Sequence, residues 1–371
     1  MTQSSALAGL WDKFPLKTGH VWLNLMLLFV PTAIILNVLH VSPLLVFLTA
    51  ALGIAPLAGV LGESTGALAA HSGPAVGGLL NATLANATEM IIAVFALRAG
   101  HINVVQASLS GSIMGNLLLV LGLSLVVGGA RRDFQRFSRA TTSMNSTMLM
   151  IAVAALVMPA VFNLTVYGNL EQAGVRGENL SLWTSGVLIV LYLANLLFVF
   201  RTHRSVFRQQ DHEQTPPEVG KARAVASLML ATLMIAWLSE ILVEQIGPVT
   251  KALGMTELFV GVIVVALVGN AAENSTAILM AKRNKMDLAM TVATGASTQI
   301  ALFVAPVLVF LSLAMGHPMT LVFNGFEIAG IFLSVTIVAM ISADGETNWF
   351  EGAQLLAVYA IVAVAFYFVP E

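Results

Sequence analysis

The chain has 371 residues, 58% hydrophobic and only 10% charged, with a mean hydropathy of +0.89 and a formal net charge of −2. Soluble domains carry about 25% charged residues, so this composition excludes an ordinary soluble fold, and the balance of charge points to no nucleic-acid partner. There is no cysteine, which rules out disulfides and thiolate metal sites and leaves oxygen or imidazole to hold any metal.

Residues 1–20, MTQSSALAGLWDKFPLKTGH, lack the basic start, apolar run and cleavage site of a signal peptide, so the first hydrophobic segment is expected to be retained. Apolar runs long enough to cross a bilayer then recur along the chain. They predict an all-α polytopic membrane protein of about eleven transmembrane helices, near residues 22–39, 44–62, 75–98, 103–129, 145–166, 181–200, 224–246, 257–281, 286–315, 319–342 and 352–369. Basic residues in short loops stay cytoplasmic. With the N-terminus cytoplasmic and the C-terminus outside, fourteen of the 17 Lys and Arg fall in cytoplasmic segments, and only Arg98, Arg176 and Lys251 do not. The expected location is a bacterial inner (plasma) membrane.

The third and eighth spans carry nearly the same phrase, Ala85-Asn86-Ala87-Thr88-Glu89 and Gly269-Asn270-Ala271-Ala272-Glu273. A charge at the bilayer centre costs roughly 2.5–3.5 kcal/mol on insertion scales, so two carboxylates in matched contexts call for a function. Aligning Asn86 with Asn270 sets a register that also matches Glu89 to Glu273, Arg98 to Lys282 and Gly111 to Gly295. On the expected topology the two spans run in opposite directions, which predicts inverted repeats with the site at their interface. The divisions are an N-terminal segment with one extra helix (1–43), a first five-helix repeat (44–201), a cytoplasmic linker (202–222) and a second five-helix repeat (223–371). The stretch 201–223 mixes both signs of charge and reads as a solvated connection.

Asn86 and Glu89 are three residues apart, as are Asn270 and Glu273, so on continuous helices each pair projects from one face. Asn81 lies on the Glu89 face, and Asn274 follows Glu273 directly. Hard cations such as Ca²⁺ take six to eight oxygens from carboxylates, carbonyls and water, which is the ligand type these residues supply. The partner segments are Ser108–Asn116, with Ser112 and Asn116, and Thr294–Gln299, with Ser297 and Gln299. Their small residues allow close helix approach and local backbone opening, and their polar side chains can complete or hydrate the shell. Two carboxylates at about 5 Å and an effective dielectric of about 20 repel by roughly 3 kcal/mol, so protons compete with a divalent cation for the pair. A binder that holds either and faces one side at a time is an antiporter. Glu240 and Glu244, a turn apart near the outer end of the seventh span, are candidates for an ion path. His71, His101 and His317 sit at expected helix ends and read as interfacial. The two Asn-x-Thr matches at Asn81 and Asn86 fall inside a span and are not glycosylation sites.

At these residues the chain resembles the CAX family of Ca²⁺/H⁺ antiporters, within the calcium/cation exchanger superfamily. The stretches Gly73–Leu97 and Val268–Met290 resemble the two family signatures, and the likeness continues through 110–129, 297–309 and 344–356. The resemblance implies one extra helix plus two inverted five-helix repeats. It also implies Ca²⁺ and proton carriage by Glu89 and Glu273, with Asn86, Asn270 and Gln299 lining the site, transported Ca²⁺ and H⁺, and no cofactor. The family usually has Gly at Ala85, Glu at Gly66 and His at Asn274, and it often has a long acidic linker that this chain lacks. The expected function is therefore a secondary transporter, not an enzyme, that exchanges Ca²⁺ or a related divalent cation for protons. The alternatives are a Na⁺/H⁺ or other cation/H⁺ exchanger of the same fold and a cation channel. The sequence leaves the oligomeric state open.

Overall fold

The computed structural model describes residues 21–168, 175–199 and 220–369; most of the linker 202–222 lies outside them. The described chain is almost entirely helical: α1 (Asn24–Val38), α2 (Pro43–Ser72), α3 (Pro74–Leu84), α4 (Ala87–Arg98), α5 (Ile102–Gly129), α6 (Arg139–Tyr167), α7 (Val175–Leu197), α8 (Lys221–Glu244), α9 (Ile246–Leu253), α10 (Glu257–Gly269), α11 (Ala271–Lys282), α12 (Met286–Ala314), α13 (Gly325–Ile341) and α14 (Trp349–Phe368). With no water in the hydrocarbon to satisfy backbone groups, helices are the expected answer to such a sequence.

Among the described residues, seven helices are long and apolar enough to span a membrane, or up to nine if each bent pair counts as one span. Each of the eleven expected segments falls on helix, with two differences. The third and eighth spans are each broken at the motif Asn. The tenth starts at Gly325 rather than near 319. Before it, Met319, Leu321 and Phe323 are buried in non-helical chain. Non-helical backbone at depth is tolerated where protein satisfies it: Ser312 Oγ accepts from the Met319 N–H, Ser181 Oγ accepts from the Leu321 N–H, and Gln106 Nε2 donates to the Thr320 carbonyl. The capping box of Asn324 and Glu327 then starts α13.

Inside and periphery separate clearly. In their most apolar windows α5 is 72% buried and α2 and α12 each 67%, against 22% for α7 and 17% for α14, so α2, α5 and α12 form the centre while α7 and α14 lie at the periphery. The α5–α10 contact is the tightest. A Cβ at Gly111 would fall 2.1 Å from the Val262 carbonyl oxygen, and one at Gly261 2.6 Å from Ala107 Cβ, so glycine on both helices lets the backbones touch. π-Helical turns widen α5 at Gly115–Val120, α10 at Val260–Val265 and α12 at Ile300–Val304; such turns often mark functional sites.

Chain direction follows from neighbours. Gly128, near the end of α5, lies against the Ala281 carbonyl near the end of α11, whereas α4 joins the start of α5 through a turn at Gly100 with φ +83°. Helices α4 and α11 therefore run in opposite senses. At the α5 end, a two-residue antiparallel pairing joins β1 (Gln135–Arg136) to β2 (Glu346–Thr347), and the exposed Arg136–Glu346 ion pair at 3.0 Å adds no more than about 1 kcal/mol.

Candidate functional site

Both motif asparagines sit where a helix breaks. Asn86 has φ −93°, ψ 19° and Asn270 φ −94°, ψ 5°, in the bridge region between helix and extended backbone. A twelve-residue helix follows each, with Glu89 in the first turn of α4 and Glu273 in the first turn of α11. Because each Asn has left helical geometry, it does not share a helical face with its Glu as the spacing of three predicts. Asn86 reaches α12 while Glu89 reaches α5.

The resulting hydrogen bonds cross between the motifs. Asn86 Nδ2 donates to Gln299 Oε1 at 2.7 Å. Asn270 Nδ2 donates to Ser112 Oγ at 2.8 Å, and Ser112 donates onward to Glu89 Oε1 at 2.9 Å. Asn116 Nδ2 makes a longer contact with Asn270 Oδ1 at 3.4 Å. Glu89 packs directly on the second motif, since a Cβ at Gly269 would lie 2.8 Å from its Cγ. Glu273 lies within electrostatic range of Glu89. Within this cluster four buried oxygens have no donor: Asn86 Oδ1, Glu89 Oε2, Glu273 Oε2 and Asn274 Oδ1. Buried acceptors without donors are costly, and carboxylate and amide oxygens are the ligands a hard cation recruits.

Two cavities flank this crossing. One, a small cavity of about 10 Å³, is lined by Glu89, Ala93, Ser108, Ser112, Ala266 and Leu308 among others, and follows α4 and α12 toward their C-terminal ends. The other, also of about 10 Å³, is lined by residues including Ser112, Asn116, Ala266, Asn270, Asn274 and Tyr359, and follows α5 and α11 toward theirs. Ser112 and Ala266 line both, so the wall between the cavities is the place where Ser112 links Glu89 to Asn270.

The structure thus brings together Glu89, Asn86, Asn270, Gln299, Ser112 and Asn116, with Glu273 and Asn274 beside them. It leaves other candidates apart. Asn81 is exposed on α3, and Glu240 and Glu244 are exposed on α8. Ser297 is buried but donates to the Ala293 carbonyl of its own helix at 3.0 Å. Among the described residues no group of three or more His, Asp or Glu side chains gathers. The sequence reading missed Glu327, a carboxylate only 3% exposed. It accepts from Ser110 Oγ at 2.8 Å and from the Asn324 N–H at 2.9 Å; the Asn-x-x-Glu spacing of a capping box was the available signal.

The family profile described as sodium/calcium exchanger protein matches residues 42–201 and 223–368. The chain belongs to this family. It is 42% identical over 360 residues to a Ca²⁺/H⁺ antiporter of Aphanothece halophytica, a match covering 93% of this chain and 96% of the relative. It is 43% identical over 344 residues to the Ca²⁺/H⁺ antiporter ChaA of Bacillus subtilis, covering 91% and 96%. The solved structure of native YfkE superposes with a TM-score of 0.82 at 39% identity, over 94% of this chain and 100% of that one. The exchanger family places the described helices in a membrane and makes this chain a multi-pass membrane transporter.

Proposed function

We propose that the protein exchanges Ca²⁺ for protons by alternating access, with Glu89 and Glu273 binding both in turn and Asn86, Asn270 and Gln299 completing the site. The observation that carries this reading is the crossed network with its four donor-free oxygens on Asn86, Glu89, Glu273 and Asn274. The relatives named as Ca²⁺/H⁺ antiporters supply the ion pair. Two cavities separated at Ser112 suit a site that communicates with one side at a time.

Several features support two inverted halves. The family profile matches in two stretches, and α4 and α11 are equally long and oppositely directed. Helices α5 and α12 begin at Ile102 and Met286, the same interval that separates Asn86 from Asn270. In this reading both termini follow the positive-inside assignment, N-terminus cytoplasmic and C-terminus outside, in a bacterial inner membrane. Exposed Glu240 and Glu244 serve at most as an outer approach for the ion.

The test is uptake into vesicles holding the purified protein, with an imposed pH gradient and Ca²⁺, Mn²⁺, Na⁺ and K⁺ compared. Ca²⁺ accumulation that stops when the gradient is collapsed is expected. Accumulation of Na⁺ or K⁺ instead identifies a different cation/H⁺ exchanger, and flux without a gradient identifies a channel. In the same assay Gly269→Ala is expected to raise the half-saturating Ca²⁺ concentration at least about fivefold, because the added methyl overpacks against Glu89 at a cost of about 1–3 kcal/mol.

A further inference from the structure

At the two helix breaks the equivalent backbone carbonyl receives its side-chain hydrogen bond from different residues. Where a helix breaks, carbonyls of its last turn can lose their partners; of the two carbonyls four residues before the Asn, that of Ala266 keeps its helical bond from the Asn270 N–H at 3.2 Å, whereas that of Ala82 depends on a side chain. In the second motif the Asn caps it itself: Asn270 Nδ2 donates to the Ala266 carbonyl at 2.9 Å as well as to Ser112. In the first motif the corresponding Ala82 carbonyl accepts the hydroxyl of Tyr192, from α7, at 3.1 Å. The Asn86 amide is thereby left to Gln299.

Tyr192 also packs on the helix that carries the other partner of that bond. Its ring stacks on Phe303 with centroids 4.9 Å apart and planes 23° apart. Phe303 lies one turn beyond Gln299, in the π-helical stretch of α12. Tyr192 is 4% exposed, and it belongs to one of the least buried spanning helices, so its inward hydroxyl is unusual for its surroundings. Buried tyrosine needs a partner for its O–H, and here that partner is the orphan carbonyl of the broken helix.

We propose that Tyr192 is a positioning residue for transport: by capping Ala82 and bracing Phe303 it keeps Asn86 on Gln299 and holds Asn86 Oδ1 free for the ion. Without the hydroxyl, the Asn86 amide turns to the Ala82 carbonyl, as Asn270 does to Ala266, and the Asn86–Gln299 bond opens. The transport readout of this inference rests on the exchange reading, whereas its structural readout does not.

The experiment uses the full chain with Tyr192→Phe, which keeps the ring and removes only the hydroxyl, and Tyr192→Leu, which removes both. A structure of Tyr192→Phe is expected to place Asn86 Nδ2 on the Ala82 carbonyl. In vesicles, KM for Ca²⁺, or for whichever cation of the panel the wild type carries, is expected to rise about fivefold, the scale of one hydrogen bond, at an unchanged melting midpoint. Tyr192→Leu is expected to raise KM at least as much. Asn86 still on Gln299 in Tyr192→Phe, or a wild-type KM in that variant, overturns the proposal; so does a KM that rises in Tyr192→Leu alone, which assigns the effect to stacking. Wild-type protein that moves no Ca²⁺ refutes the exchange reading instead.

Discussion

Glu89→Gln and Glu273→Gln are each expected to reduce proton-driven Ca²⁺ uptake to the level of protein-free vesicles, with the folded protein recovered in normal amount. The reason is charge balance. A pair of carboxylates away from water is neutralised equally well by one divalent cation or by two protons, and so both loaded states avoid the cost of net charge in a low-dielectric site. Glutamine keeps the shape and one oxygen but removes a charge and the capacity to take a proton. At a Ca–O distance of about 2.4 Å and an effective dielectric of about 20, a divalent cation and a carboxylate attract by about 14 kcal/mol before desolvation is counted. Losing even a tenth of that weakens binding about tenfold. In Glu89→Gln folding is spared because the amide oxygen can still accept from Ser112, as Glu89 Oε1 does. Uptake at wild-type rate by either variant sinks the two-carboxylate mechanism. Equal loss in both, despite their different partners, is the result that fits a shared site.

Gly111→Ala is expected to be the most damaging change outside the carboxylates. Its methyl would lie 2.1 Å from the Val262 carbonyl oxygen and 2.5 Å from Val262 Cα, backbone atoms that cannot swing away. Helices α5 and α10 must separate, at an overpacking cost of about 1–3 kcal/mol or more. The neighbouring residue is Ser112, so the same separation pulls apart the bonds from Asn270 to Ser112 and from Ser112 to Glu89. A lower melting midpoint together with lost uptake is expected. Gly62→Ala, where a Cβ meets nothing within 4 Å, is the control and should retain both. A Gly111→Ala protein with normal uptake would show that α5 and α10 need not touch during transport.

Much of this was legible because chemistry and period coincided. The repeated Asn and Glu stood out against apolar surroundings, and Gly111, Ser112, Asn116 and Gln299 stood out as small or polar residues in the next helices. The register that pairs Asn86 with Asn270 anticipated matching structure: α5 and α12 start in that same register, and the two Asn have nearly equal backbone angles. Helix breaks were less legible. Apolar composition continues straight through Asn86 and Asn270, and only the backbone angles show that each Asn leaves its helix. The buried chain before α13 was hidden for the same reason, since Met319, Leu321 and Phe323 look like spanning residues whether or not they are helical.

Composition was enough to require that the chain live in lipid as helices, because so apolar a chain can satisfy its backbone there in almost no other way. Together with the repeated motif it was also enough to single out Glu89 and Glu273, because isolated carboxylates in such segments are costly to keep. The choice of partners was made in three dimensions. Hydrogen bonds extend a few ångströms and depend on direction, so whether Asn86 meets Gln299, Ser112 meets Glu89, or Tyr192 caps Ala82 depends on how distant helices cross. Asn86 and Gln299 sit in opposite halves of the chain, and the crossing that joins such helices is set by where glycine lets backbones touch, which no local pattern encodes.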